Sequence, residues 1–270
     1  MAVINTNVSA SIASNALVKN ERMLSKAMAQ LSTGSRINNA GDDAAGLAIS
    51  VTMTSQIKGL EQAIRNSNDG VSIAQTADGA LAEVTNMVQR MRELAVQANN
   101  GTLSATERGY LDTEFQALEG AIAKIGTSTE FSGRAILGTS ATGFAITDAA
   151  GATVATVTTT AVATLVTDLS AKGLNTTGSA TSAITAADTA LGKLAASRAN
   201  LGAAMNTLAF MADNQANELA NTQASRSRVL DTDYAAATTE LARTQIIQQA
   251  GTAMLAQANQ LPQTVLSLLQ

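Results

Sequence analysis

From Leu191 to Val229 the apolar residues fall on one three-four grid: Leu191, Leu194, Leu201, Met205, Leu208, Ala212, Leu219 and Val229, with Arg198, Gln215, Thr222 and Arg226 at intermediate points. This spacing puts every grid residue on one face of a helix. At ~1.5 Å per residue such a helix is nearly 60 Å long. A chain committed to it must bury a long, narrow stripe, which long helices packed side by side can do. The same spacing recurs. Leu47, Val51, Leu60, Ile64 and Val71 lead into Leu81, Val84, Val88, Met91, Ala95 and Ala98, and Asn99, Asn100 and Gly101 close that run. Leu111, Phe115, Leu118, Ile122 and Ile125 step by 4, 3, 4 and 3 behind Ser104 and Glu107, which stand at capping-box spacing. Leu17, Leu24, Met28 and Leu31, preceded by Val3, Ile4, Val8 and Ile12, predict an amphipathic helix near the amino terminus. Ile247, Gly251, Met254, Ala258 and Leu261 predict another that restarts at Asp231 or Asp233. Pro262 is expected to interrupt this last helix, leaving an apolar tail.

The helices have little to bury. Hydrophobic residues make up 46% of the 270, yet alanine supplies much of that share, and there are no tryptophans, 2 tyrosines and 4 phenylalanines. Thin, closely approaching contacts therefore replace a thick core, and further copies of the chain are expected to cover more surface. Histidine and cysteine are absent. That removes Ser-His and Cys-His nucleophile systems, disulfides and zinc sites of the usual kind, and no titratable pair forms a recognisable catalytic motif, so neither an enzyme nor a cofactor is expected. A net charge of -4 with few aromatics argues against nucleic-acid binding. No apolar run approaches a membrane span. The amino terminus lacks a basic region followed by a continuous apolar one, so no ordinary cleaved secretory signal is expected.

Leu31 to Ser50, "LSTGSRINNAGDDAAGLAIS", reads as stop, turn, start. Gly34 suits the left-handed position just past a helix end, Asn38 and Asn39 continue the turn, and Asp42 or Asp43 can cap the next helix. Residues 139–187 differ in character. Thr, Val and Ala dominate; "GFAIT" and "ATVATVT" flank "DAAG" as in a small hairpin, and "AVATLVTDLSAKG" suits a short helix ended by Gly173. A small exposed insert is the reading adopted, against a flexible Thr-rich linker. The expected fold is mainly α: long antiparallel helical rods, a coiled coil formed by the N- and C-terminal regions, and a small β-containing insert.

The stretches "LSTGSRINNAGDDAAGLAIS", "MRELAVQA" and "QQAGTAMLAQANQLPQTVLSLL" closely resemble bacterial flagellin, over about residues 1–137 and 191–270. The chain departs from that family's pattern at Thr207, Ala237 and Gln270. The resemblance implies a filament subunit exported through the flagellar type III channel and polymerised outside the cell. A hook-filament junction protein is the alternative within that class; a non-flagellar coiled-coil binding module is the alternative outside it. It further implies an inner coiled-coil layer from 1–39 and 227–270, a helical rod layer from 40–138 and 188–226, and a reduced variable outer insert at 139–187. Gly34, Asp42, Asp43 and Gly46 then form the joint between layers. Leu255, Leu261, Val265, Leu266, Leu268 and Leu269 are inner assembly residues by the same resemblance. Gln89, Arg90, Leu94 and Glu114 match positions by which flagellins engage an animal receptor, with a subunit contact or solvated face as the plainer role. The 31–50 stretch resembles a segment detected by plant receptors, with helix capping as the plainer role. Other implied partners are further copies of the chain, an export chaperone, the filament cap and hook-junction proteins; nucleic acid and membrane insertion are not implied.

Overall fold

A computed structural model describes residues 6–138, 142–149, 151–159, 162, 164, 167, 169 and 172–267. Among them, five long helices and two hairpins follow in the order α1 (Val8–Thr33), α2 (Ala44–Ala98), α3 (Ala105–Ser128), β1 (Glu130–Phe131), β2 (Arg134–Ala135), β3 (Thr142–Thr147), β4 (Thr153–Thr159), α4 (Thr177–Leu230) and α5 (Tyr234–Ser267). They divide into two compact units, Met1–Ser55 with Asn221–Gln270, and Gln56–Ala220.

In the first unit α1 and α5 pair antiparallel. Asn7 reaches Ala258 and Asn20 reaches Thr244, so rising numbers in one helix meet falling numbers in the other. The α1 residues drawn at least partly out of solvent are Ala10, Ala13, Leu17, Asn20, Leu24, Ala27, Gln30 and Leu31; those of α5 are Ala237, Glu240, Leu241, Thr244, Gln248, Gly251, Leu255 and Ala258. Apart from Gln30 and Glu240, both series alternate steps of three and four, the signature of a coiled-coil seam. Leu17 packs against Gly251, where an added Cβ would lie 3.1 Å from its Cδ1. Met28, Val8 and Ile12, expected on the buried stripe, are instead exposed, as are Ile247 and Met254. Alternation of leucine with small or polar residues accounts for this: the seam is narrow and has no room for a wider apolar face. The expected interruption at Pro262 is also absent, because α5 continues through it to Ser267. Proline removes one backbone donor and need not end a helix whose other bonds persist.

In the second unit three helical segments pack through Leu81, Met91, Phe115, Ile122, Leu194 and Leu201, all fully buried. The expected stripe Leu81, Val84, Val88, Met91, Ala95 and Ala98 is buried throughout. Ser104 and Glu107 form the capping box at the start of α3. The Arg108 guanidinium donates to the carbonyls of Ala98 (2.9 Å) and Asn100 (3.1 Å), closing the end of α2. Arg92 with Asp188 (2.6 Å) and Arg198 with Asp78 (2.7 Å) tie α2 to α4 in antiparallel order.

Both hairpins serve this unit. In β1–β2 the turn residues Ser132 and Gly133 both have positive φ, as a two-residue hairpin of type I′ requires. In β3–β4, Phe144, Ile146 and Val157 are buried while Gly143, Ala145, Thr156 and Thr158 are exposed. One packed face makes this segment a folded hairpin, not a linker. Ile146 lies against Gly70 of α2, and the Arg134 guanidinium sits 5.0 Å from the Phe144 ring centroid. Beyond the hairpin, the described positions Val162 and Leu169 are helical and buried. The buried Asp112 carboxylate accepts from Leu174 N (2.7 Å), fastening the returning chain to α3. Residues 177–187, grouped by composition with the insert, form the first turns of α4.

Candidate assembly site

The break after α1 is built as its sequence implies. Gly34 takes φ +70° and donates its N–H to Gln30 O at 2.9 Å, ending the helix in the left-handed cap. The two aspartates divide the remaining work. Asp43 Oδ1 accepts from Gly46 N (2.8 Å) and so caps α2. Asp42 Oδ2 accepts from Asn38 N (3.3 Å) and Asn39 N (3.2 Å), while its Oδ1 meets Lys26 Nζ at 2.8 Å. The Lys26 bond, followed by those two amides, holds the Asp42 carboxyl below its ordinary value. At Gly46 an added Cβ would stand 2.6 Å from Ile37 Cδ1, so the buried Ile37 closes over a position that excludes a side chain.

By sequence, this break and the one between α4 and α5 read as separate. They are bonded to each other. Thr232 N donates to Gly34 O (2.9 Å), Arg36 N donates to Leu230 O (2.6 Å), and Ser35 bridges Asp231 in antiparallel fashion. The Arg36 guanidinium adds a bond to Val229 O at 2.7 Å. The mirror-like order of helix, break and long helix from each end of the chain was the available signal for this pairing.

The other candidate residues separate by depth. Gln89, Arg90 and Glu114 lie at the surface of the second unit. Arg90 Nε donates to Glu114 Oε1 (2.9 Å) across α2 and α3, and Arg90 Nη1 meets Glu93 at 3.2 Å. Glu114 first, then Glu93, favour the charged guanidinium. Leu94 is 1% exposed and belongs to the core beneath this face. In α5 Leu255 lies in the seam; Leu261, Val265 and Leu266 are on the helix, and Leu268 and Leu269 fall outside the described residues.

The exposed aliphatics of α1 do not form one stripe. Relative to the seam, Val8, Ile12, Val18, Met23 and Met28 fall at five different heptad positions around the helix. In α5, Ile246, Ile247 and Met254 are likewise exposed and lie outside the seam. Among the described residues no cluster of acidic side chains is arranged to hold a metal, and no helix is long and apolar enough to cross a membrane.

Long paired helices with aliphatic side chains left facing outward are the build of a structural protein that packs against further helices. The bacterial flagellin N-terminal helical region matches residues 4–142, and the C-terminal helical region matches 184–269. A flagellin of Halalkalibacterium halodurans is 43% identical over 271 residues, covering 99% of this chain and 100% of that one. Flagellin A of Vibrio cholerae serotype O1 is 34% identical, covering 99% of both chains. The flagellar filament 33 kDa core protein of Treponema phagedenis is 39% identical, covering 99% of this chain and 100% of the relative. The chain belongs to the bacterial flagellin family.

Proposed function

We propose that the chain is the structural subunit of an extracellular flagellar filament and serves motility. The observation that carries this reading is the distribution of exposed aliphatics around α1. One partner helix covers one stripe, as in a dimeric coiled coil. Side chains at five heptad positions can be covered together only by several neighbours, which a helical homopolymer supplies. Residues 1–39 and 227–270 contribute its inner coiled-coil contacts, with Gly34, Asp42, Asp43 and Gly46 as the joint. The family and the filament-core relative support the same function.

On this reading the chain travels unfolded through the type III channel, with a chaperone, the filament cap and hook-junction proteins as transient partners. Gln89, Arg90 and Glu114, supported from beneath by Leu94, form a face for a neighbouring subunit and for animal flagellin receptors. The 31–50 segment is offered to plant receptors. The test is to add purified chain to short filament seeds and follow elongation by electron microscopy. Seeds should lengthen; chains that stay monomeric or dimeric in the presence of seeds overturn the reading.

A further inference from the structure

We infer that Asn7 is a register clasp that completes a helix at the opposite end of the chain. Its side chain works in two directions. Asn7 Oδ1 accepts from Ala10 N at 3.0 Å and caps α1, while Nδ2 donates to the backbone oxygen of Ala258 at 2.8 Å. Ala258 stands four residues before Pro262. In an uninterrupted helix its carbonyl would accept the amide of residue 262, and proline has none to give. Since Ala258 is buried in the pair, the carbonyl that proline frees is poorly served by solvent, and the asparagine amide supplies the missing donor.

This marks one register only. Pro262 is the single proline in the sequence, so no other carbonyl in α5 loses its helical donor in this way. Sliding α1 by one heptad would set Asn7 beside residue 251 or 265, whose carbonyls meet no proline four positions later. A second rung agrees with the first: Asn20, 1% exposed, donates to Thr244 O at 2.8 Å and to Gln248 Oε1 at 3.1 Å. A shift of one heptad would set Leu241 or Leu255 where Gln248 stands, so the side-chain acceptor of this rung exists in one register only. The terminal pair thus carries a positional key beyond the Leu and Ala contacts of its narrow seam. The inference concerns this pair within one chain and does not depend on the filament reading.

Amide hydrogen exchange over residues 251–261 tests it, measured on the full chain as monomer and as sedimented polymer. The variants are Asn7→Ser, Pro262→Ala and the two combined. Serine retains a capping oxygen for α1 but has no amide to reach Ala258. In the wild-type background Asn7→Ser should speed exchange about fivefold, the ratio expected for one hydrogen bond of ordinary strength. With Pro262→Ala, which restores the helical donor, the same substitution should change exchange less than about twofold. Equal ratios in the two backgrounds, no effect of Asn7→Ser, or unprotected wild-type amides in both states would overturn the clasp. The background-dependent ratio, found in a chain that never polymerises, would uphold the clasp while removing the filament reading.

Discussion

The carbonyl of Gly34 accepts the amide of Thr232 at 2.9 Å, so the residue that ends α1 also anchors the turn that begins α5. With φ at +70°, any side chain at position 34 is strained, and an added Cβ would stand 3.1 Å from the Tyr234 hydroxyl. Gly34→Val should therefore cost at least ~1 kcal/mol and disturb both breaks together. Electron microscopy should show impaired or altered filaments. Gly34→Ala made with Tyr234→Phe separates the causes: if removing the hydroxyl restores normal filaments, steric contact and not backbone strain was responsible.

The Lys26–Asp42 pair gives the same turn a dependence on pH. The folded Asp42 carboxyl titrates below its ordinary value of 3.8, so the unfolded turn binds a proton first as acid is added. Its stabilisation is present above that ordinary value and is lost as pH falls through the lower folded value. Backbone resonances of Asn38 and Asn39 should titrate with a midpoint under 3.8, and Asp42→Asn should abolish the titration. A midpoint at or above 3.8 in the wild type contradicts the assigned hydrogen bonds.

Arg90→Ala and Leu94→Ala should part company. Removing an exposed ion pair costs roughly 0–1 kcal/mol, whereas truncating a buried leucine costs about 2–5 kcal/mol. Thermal unfolding of the monomer should accordingly be nearly unchanged by Arg90→Ala and clearly lowered by Leu94→Ala. Loss of polymerisation or receptor signalling in a normally stable Arg90→Ala protein would then be a surface effect. Equal destabilisation by the two changes would place Arg90 in the structural core of the unit, against its observed exposure.

The terminal segments should respond to assembly. Their seam alternates Leu with Ala, Asn, Thr and Gly, which gives a lone pair little apolar burial. Protease digestion is expected to cut within 1–39 and 230–270 in the monomer and to spare both in the polymer. Deleting residues 261–270 should block polymerisation while leaving the second unit's unfolding transition in place. Equal digestion of both states, or normal polymers from the truncated chain, would contradict an inner role for these segments.

Helix positions were legible where large apolar residues mark the stripe, as from Leu81 to Met91 and from Leu111 to Ile125. The start of α4 was obscured by composition: the buried Ala180, Ala183, Ala187 and Ala190 run in steps of three and four into Leu194, but alanine on both faces conceals the period. Gly34 and the capping aspartates were readable because a turn imposes local chemistry. The bonding between the two breaks was not, since Gly34 and Thr232 meet only through tertiary pairing. Leu94 illustrates a further limit. A match to a motif identifies a position, whereas depth depends on the helices packed over it, and here Leu94 lies under the face that Arg90 presents.

The seam of the terminal pair also fixes a handedness. A strict alternation of three and four holds both helices near 3.5 residues per turn, below the relaxed 3.6, and the mismatch winds them into a left-handed supercoil. The 26 residues of α1 span about 39 Å, roughly a quarter of a typical ~150 Å supercoil pitch. A straight helix lying against α1 would drift off its starting face within a few turns. Neighbours that follow α1 along its length must therefore coil in the same sense, and any that do not can meet it only in short patches.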